Sequence, residues 1–358
     1  MKQLLLSLDR NQLRTWLADH NAPAFRADQV LNWLYVKKVR NFPAMANLPR
    51  DLLALLEQSF YPRAAQVAQI SRSADDTAKL LLRWPDAAST ETVLIPDSPR
   101  NTVCVSSQVG CPVACAFCAS GRDGLQRSLE PGEIVEQVLA AADLLPRDER
   151  LTHVVVMGLG EPLLNYENTL LALRTLNADW GLGIAARHLT LSTIGLPDAI
   201  RRLADEPLQI TLAVSIHAPE DRLRTRLIPW AKRYPLADLV AALNHYYRKT
   251  HREVTLEYVL LQGVNDTLAH ADQLAALARR SRCNVNLINY NPVPEADFLP
   301  VAPAQARAFL DQLRRRGANA HLRKSRGRDI DAACGQLRRQ PRPSDSRPCP
   351  PQTQEQQP

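Results

Sequence analysis

The stretch VGCPVACAFCASG, residues 109–121, places three cysteines within eight positions, at Cys111, Cys115 and Cys118. Zinc in proteins takes four nitrogen or sulfur ligands, commonly from two CxxC pairs, and no second pair or nearby histidine follows here. Iron–sulfur clusters also use closely spaced cysteines. A 4Fe–4S cube held by three thiolates leaves one iron open to another ligand. The spacing therefore favours a cluster over a zinc site.

The composition is that of a large soluble chain. Its 358 residues are 45% hydrophobic, enough for a large core. No stretch approaches the ~20 apolar residues of a membrane span, and the leucine run before Asp9 is too short for a signal peptide. Seven cysteines in a chain without a secretory signal suit metal or redox chemistry better than structural disulfides. We expect a cytoplasmic monomer that does not contact membranes.

The charge is concentrated at the carboxyl terminus. The chain has 44 Lys and Arg against 37 Asp and Glu, a net charge of +7. Residues 301–358 hold 12 basic and 5 acidic residues, so they account for the whole excess. Two readings stay open for this segment, a polyanionic partner or a solubilising tail.

Around the cysteines, strand and helix patterns alternate from residue 101 to about 325. Seven strand-like segments are TVCVSS, HVVVMG, HLTLST, ITLAVS, EVTLEYVL, NVNLINY and NAHLRK. Six amphipathic helix patterns lie at 131–145, 166–177, 197–204, 236–249, 267–281 and 303–316. Repeated βα units predict a parallel sheet. Because no GxGxxG follows the first strand, an α/β fold with a partial (β/α)6 barrel is favoured over a dinucleotide-binding fold.

Four regions follow from these patterns. Residues 1–60 predict a small helical accessory domain. Its basic side, either an RNA contact or a solvated face, carries Arg26, Lys37, Lys38 and Arg40. Residues 61–100 predict a β-hairpin linker, and residues 101–338 the barrel with a cysteine-bearing loop at its end. Residues 339–358, rich in Pro, Gln and Ser, predict a disordered tail.

The unusual residues follow the predicted strands. The segments concerned are CPVACAFC, GLGEP, STIG, SIHAPED, NYNP and SRGRDIDAACG. In βα barrels the loops after the carboxyl ends of the strands carry the chemistry. We therefore expect these six segments to meet at one end of the barrel.

The pattern Cx3CxφC, with φ an aromatic residue, resembles the radical S-adenosylmethionine (SAM) superfamily. There the open iron binds SAM, whose reductive cleavage gives a 5′-deoxyadenosyl radical. Longer segments resemble the RlmN/Cfr family of RNA adenine methyltransferases over roughly residues 20–340. They are CVSSQVGCPVACAFC, GLGEPLLN, LSTIGL, SIHAPEDRLR, YVLLQGVND, NLINYNP and RKSRGRDIDAACGQL.

The resemblance implies one 4Fe–4S cluster on Cys111, Cys115 and Cys118, and two SAM molecules per turnover. The ring carbons 2 and 8 of adenine are too poor as nucleophiles to attack the SAM methyl group, whereas a thiolate can. By motif position, Cys334 carries the methyl group and Cys104 then forms a disulfide with it. Glu91 corresponds to the base that removes the ring proton.

SAM-binding positions carry over in the same way. Gly160 and Glu161 match the methionine-binding segment, where glycine lets the backbone approach closely. The remaining positions are Ser192, Ser215, Ile216, His217 and Asn291. Each of these residues is uninformative when taken alone.

The resemblance implies an RNA partner, an adenosine of 23S rRNA, and for some members also a tRNA adenosine. It implies an external electron donor such as a flavodoxin or ferredoxin. Basic residues near the expected pocket mouth are candidates to hold RNA phosphates. They are Arg122, Arg127, Arg222, Arg224, Arg226, Lys232, Arg233, Arg323, Lys324, Arg326 and Arg328.

Three alternatives stay open at the level of sequence. The segments GEPLLN and RKSRGRDIDAACGQL favour methylation of carbon 2, while STIG and NYNP are closer to the branch that methylates carbon 8. A radical SAM enzyme acting on a substrate other than RNA would not need both Cys104 and Cys334. An RNA-binding protein with a vestigial cluster would not need the intact cysteines and GLGEP.

Overall fold

The computed structural model of the protein describes residues 2–294 and 296–338. The tail predicted for residues 339–358 lies outside the described residues. The first helices and strands form a small module. They are β1 (Gln3–Leu4), α1 (Arg10–Asp19), α2 (Arg26–Leu31), α3 (Arg50–Ser59) and β2 (Phe60–Tyr61). Asp9 caps α1, since its carboxylate accepts the N–H groups of Asn11 and Gln12, both at 2.8 Å.

Three antiparallel strands connect this module to the barrel. They are β3 (Gln66–Arg72), β4 (Ala78–Arg83) and β5 (Ser89–Ile95). Strands β4 and β5 form a hairpin, as expected for this region. Strand β5 also pairs with the first strand of the barrel, with Val93 opposite Cys104. The hairpin is therefore continuous with the barrel sheet.

Seven parallel strands form the body of the sheet. After β6 (Thr102–Val105) comes a short antiparallel ribbon, β7 (Gln108–Gly110) and β8 (Leu125–Ser128). The other parallel strands are β9 (His153–Val156), β10 (Leu189–Thr193), β11 (Thr211–Ser215), β12 (Val254–Leu260), β13 (Cys283–Asn289) and β14 (Ala320–Arg323). The sheet order runs β14-β13-β12-β11-β10-β9-β6-β5-β4-β3, so β14 and β3 are its edges. This open sheet confirms the expected partial barrel.

Helices connect the parallel strands. They are α4 (Pro131–Ala142), α5 (Tyr166–Asn177), α6 (Pro197–Leu203), α7 (Asp221–Leu227), α8 (Leu236–Thr250), α9 (Leu268–Arg280) and α10 (Pro303–Arg315). Six of them coincide with the helix patterns of the sequence. The short helix α7 has no counterpart among the predicted helices.

The amino-terminal module is packed on α4. The carboxylate of Glu136, fully buried, accepts the N–H groups of Ala64 and Ala65 at 2.9 Å and contacts Arg63. At Gly132 the chain of the module approaches so closely that an added Cβ would lie 2.6 Å from the backbone nitrogen of Ser7. The helix is therefore buried between the module and the sheet.

Replacing Gly132 with alanine should destabilise the protein by about 1–3 kcal/mol, because backbone of the module must move away. In an open helix the same change is stabilising by about 1 kcal/mol. Urea unfolding measures the difference. Removing the Ser7 hydroxyl with Ser7→Ala should not rescue the variant, since the clash includes backbone atoms. A Gly132→Ala protein as stable as the parent contradicts this packing.

Candidate active site

The three cysteines of residues 109–121 line one cavity at the carboxyl ends of the parallel strands. They lie on the loop between β7 and β8. Gly110 begins this loop with a φ of +79°, and its Cα lies so close to Gly124 that a side chain would collide with the Gly124 carbonyl oxygen. The Cys111 N–H donates to that same oxygen at 3.2 Å. Glycine thus lets the loop close on itself and direct its cysteines into one cavity.

The donor set suits a cluster rather than a single ion. Burial raises the pKa of Cys111 to about 12 and raises those of Cys115 and Cys118. Within the described residues, no three Cys, His, Asp or Glu side chains are arranged to hold one metal ion. A cubane cluster binds its thiolates on separate irons. Bound iron would also reverse the effect of burial on the thiol pKa values.

Five of the seven predicted SAM-binding residues line the same cavity. They are Gly160, Glu161, Ser192, Ser215 and His217. Ile216 does not: it is fully buried in the core, and its N–H donates to the Glu257 carbonyl at 3.0 Å. Neither does Asn291, whose amide donates to the carbonyl of Cys334 at 3.1 Å. The side-chain oxygen of Asn291 accepts from Arg328 at 2.8 Å.

Glu161 and His217 are held by backbone N–H groups. The Glu161 carboxylate accepts the N–H groups of Leu163 at 3.0 Å and Ile194 at 2.8 Å, while burial raises its pKa to about 7. Nδ1 of His217 accepts the N–H of Val259 at 3.0 Å, which assigns the ring proton to Nε2. Burial lowers the pKa of His217 to about 3, so the ring is neutral.

Cys334 reaches the cavity on a loop tied to the cysteine loop. The N–H of Ala119 donates to Gly335 O at 2.8 Å, and the Ser120 hydroxyl donates to Leu337 O at 2.9 Å. Cys334 lines both this cavity and a second one, which extends through the barrel interior past Thr102, Thr211 and Thr255 near the amino ends of their strands. Cys334 therefore lies between the two cavities.

Cys104 is buried beside the Cys334 loop. It packs with Val93, Leu159, Ala332 and Leu337 and is 8% exposed. Burial raises its pKa to about 12, and the charge of Cys334 adds to this effect. Both thiols are free. The fold thus brings together two cysteines that are far apart in the sequence.

Glu91 lies on β5 and holds the chain after Cys334. Its carboxylate is 2.9 Å from Lys79 Nζ on β4 and accepts the N–H of Arg338 at 2.6 Å. Burial raises the pKa of Glu91, and the Lys79 charge opposes that rise. Glu91 is not among the residues lining either cavity described above.

One basic residue expected to hold RNA phosphates was assigned wrongly. Arg224 is fully buried, because α7 turns it toward the loop after β10, where it donates to Ile194 O at 2.6 Å. Arg127 pairs with both Glu133 and Asp86. Arg222, Arg226, Lys232, Arg233 and Lys324 are exposed. The spacing of these residues in sequence does not distinguish buried from exposed arginines.

Comparison with known proteins identifies the family. Residues 105–275 match the Radical SAM superfamily, and residues 4–61 match the ribosomal RNA large subunit methyltransferase N-terminal domain. A probable dual-specificity RNA methyltransferase RlmN from Streptococcus mutans is 45% identical over 344 residues, covering 94% of this chain and 95% of the relative. The protein of the same name from Bacillus licheniformis is 43% identical, covering 96% and 95%.

The chain belongs to the RlmN family of radical SAM methyltransferases. A crystal structure of a radical SAM methyltransferase from Sphaerobacter thermophilus matches with a TM-score of 0.92 and 45% identity, covering 94% of this chain and 100% of that one. The predicted family and fold are confirmed, as is the enzyme class of this family, a SAM-dependent RNA methyltransferase. Membership of the radical SAM superfamily implies a 4Fe–4S cluster and SAM.

Membrane contact was not expected, and none of the described helices is long and apolar enough to cross a bilayer.

The contacts of Lys79 and Arg224 were not predicted from the sequence. The sequence marked the region of Arg224 as basic, through Arg222, Arg226, Lys232 and Arg233, but did not indicate that Arg224 is buried.

Asn291→Ala should loosen the Cys334 loop, because it removes the amide that holds the Cys334 carbonyl. We expect iodoacetamide to label Cys334 roughly tenfold faster in the variant than in the parent. Loss of one hydrogen bond of about 1.4 kcal/mol makes opening of the loop about ten times more frequent. Mass spectrometry of the Cys334 peptide gives the rate. Asn168→Ala, on α5, is the control and should leave the rate as it is. Equal labelling in Asn291→Ala would show that other contacts hold the loop.

Proposed function

We propose that this protein methylates carbon 2 of an adenosine in 23S rRNA, with a tRNA adenosine as second substrate. The observation that carries the proposal is the position of Cys334, beside Cys104 and in the same cavity as the three-cysteine loop. The relatives named dual-specificity RNA methyltransferases support RNA as the substrate class. Because ribosomes are in the cytoplasm, we place the enzyme there.

When bound, SAM supplies the methyl group, and the cluster supplies the electron for the reductive cleavage of SAM. Each turnover uses two SAM molecules. Cys111, Cys115 and Cys118 hold the cluster, while Gly160, Glu161, Ser192, Ser215 and His217 bind SAM. Ile216 lies in the buried core next to Ser215 and His217, and Asn291 holds the Cys334 loop through its hydrogen bond to the Cys334 carbonyl. An external flavodoxin or ferredoxin supplies the electron, and the enzyme works as a monomer.

The chain's own thiols carry the group to the base. The Cys334 thiol loses its proton and its sulfur takes the methyl group. One hydrogen atom then leaves the methyl carbon for the radical that SAM would supply, and the freed valence bonds to the ring carbon of adenine. Glu91 removes the proton from that ring carbon. The adduct returns one electron to the cluster that would be bound. The Cys104 thiolate then attacks the Cys334 sulfur, so that an S–S bond forms and the bond from sulfur to the transferred carbon breaks. That carbon keeps the electron pair and takes up a proton, which releases the methylated base.

RNA access fits the second cavity. Arg100, Lys324 and Arg326 are among its lining residues. The helices of the barrel run back toward the amino ends of the strands, and four of them end in basic pairs there. The pairs are Arg201 with Arg202, Arg248 with Lys249, Arg279 with Arg280, and Arg314 with Arg315. Arg201, Arg202 and Lys249 pair with the carboxylates of Asp198, Glu167 and Asp205, so the other cations of this surface are the ones that attract phosphates while the base is turned into the barrel.

Mass spectrometry of the Cys334 peptide tests the thiol route. After anaerobic incubation of the loaded enzyme with SAM, we expect Cys334 to gain the mass of one methylene unit. Cys283, buried at the start of β13, serves as the internal control and should keep its mass. An unmodified Cys334 with cluster and SAM present overturns the proposal. Mapping the methyl group on product adenosine then distinguishes carbon 2 from carbon 8.

The Cys104→Ala variant tests the release step. Without the second thiol, Cys334 stays bonded to the base, and a covalent protein–RNA adduct should accumulate on denaturing gels. Free methylated RNA from this variant at the parent rate would remove Cys104 from the reaction.

Lys79→Met should move the acid limb of the curve of turnover rate against pH to higher pH. Burial raises the pKa of Glu91 and Lys79 opposes this, so loss of the lysine raises the pKa further. Glu91 is then protonated over a wider range, and turnover at neutral pH falls. Lys79→Arg should restore the profile, and Arg83→Met, exposed on the same strand, should not change it. An unshifted limb in Lys79→Met excludes Glu91 as the titrating base.

A further inference from the structure

Arg224 is a buried cation without a carboxylate partner among the described residues. Its side chain is fully buried and donates only to carbonyl oxygens, Tyr234 O at 2.9 Å and Ile194 O at 2.6 Å. Its Nε has no hydrogen-bond partner in the described part of the chain. Burial lowers the pKa of Arg224 to about 10, which leaves it charged at neutral pH. An unpaired buried charge is costly, so its retention calls for a physical reason.

The charge lies next to the cysteine loop. Helix α7 and the turn after it contact that loop directly, since the Ala116 N–H donates to Leu227 O and Trp230 Nε1 donates to Pro112 O, both at 2.9 Å. Arg224 interacts electrostatically with the sulfur of Cys115 and with His217. The imidazole is neutral, so it does not balance the guanidinium.

Other charges around Arg224 are few. Asp221, one turn earlier on α7, attracts it but is exposed and accepts the N–H of Leu236 at 2.8 Å. Glu161, which accepts the Ile194 N–H at 2.8 Å, interacts with Cys111 and Cys115. Burial raises the pKa of Glu161 to about 7, so it balances little of the Arg224 charge. The group best placed to balance Arg224 is therefore the negative charge of thiolates that hold a cluster.

We propose that Arg224 tunes the reduction potential at the cysteine loop, by keeping a buried positive charge beside Cys115. The inference rests on the cluster assigned to Cys111, Cys115 and Cys118. The external donor loses one electron and the cysteine-bound cluster gains it, with no bond made or broken. Net charge and burial set the potentials of such clusters, so a fixed cation makes the added electron more stable. Arg224 is a positioning residue and does not contact the RNA.

Redox titration followed by electron paramagnetic resonance tests this without methyl transfer. We expect Arg224→Gln, which keeps a hydrogen-bonding amide but no charge, to lower the equilibrium constant for reduction about tenfold, ~59 mV toward more negative potential. Arg224→Lys should stay close to the parent at pH 7. Arg226→Gln, exposed on the same helix, should leave the potential unchanged. A parent-like potential in Arg224→Gln with four irons bound overturns the proposal.

The lysine variant keeps the test decisive if Arg224→Gln does not retain its cluster. Burial lowers the pKa of a lysine, so the potential of Arg224→Lys should fall as the pH rises from 7 to about 10. The parent should not show this fall. A pH-independent potential in Arg224→Lys contradicts the proposal. If the parent protein binds no cluster, the cluster assignment itself is overturned. If the parent methylates RNA but the reduction potentials of the Arg224 variants equal that of the parent, only the role of Arg224 is overturned.

Discussion

The hydrogen bond from the Ala119 N–H to the Gly335 carbonyl joins the two loops on which the site depends. One loop carries the three clustered cysteines and the other carries Cys334. With the Ser120 contact beside it, this bond fixes the end of the described chain against the first loop of the barrel. The two loops come from opposite ends of the barrel sequence, so neither has a local reason to adopt its place. The proposed chemistry needs both of them in one cavity.

Burial controls the electrostatics of this cavity. It favours the neutral forms of Glu161, His217 and the cysteine thiols, while Arg323 in the cavity wall and Arg224 behind the cysteine loop keep their charges. A site of low polarity strengthens each remaining charge. The cavity is therefore prepared for a charged cofactor by a small number of side chains, several of them fixed by backbone hydrogen bonds.

The sequence was sufficient for the sheet, and five of the seven residues proposed to bind SAM line the same cavity as the three cysteines. The segment HVVVMG contains a continuous apolar run, which identifies a buried parallel strand, and the cysteine spacing is a local pattern. Lys79, by contrast, gains its importance from pairing across β4 and β5, and Arg224 from the direction in which α7 faces. Both depend on contacts between segments distant in sequence, and a charged residue looks the same in sequence whether it is buried or exposed.

The burial of α4 limits which amino-acid substitutions the protein can accept during evolution. All 12 residues of α4 are buried, since the amino-terminal module covers the face that a barrel helix usually turns to solvent. Such a helix has no side on which polar substitutions accumulate without cost. Substitutions on the surface of the module that covers α4 and substitutions on α4 itself must therefore remain compatible with each other. Exchange of either one for a counterpart with a different surface would leave an apolar helix exposed to water.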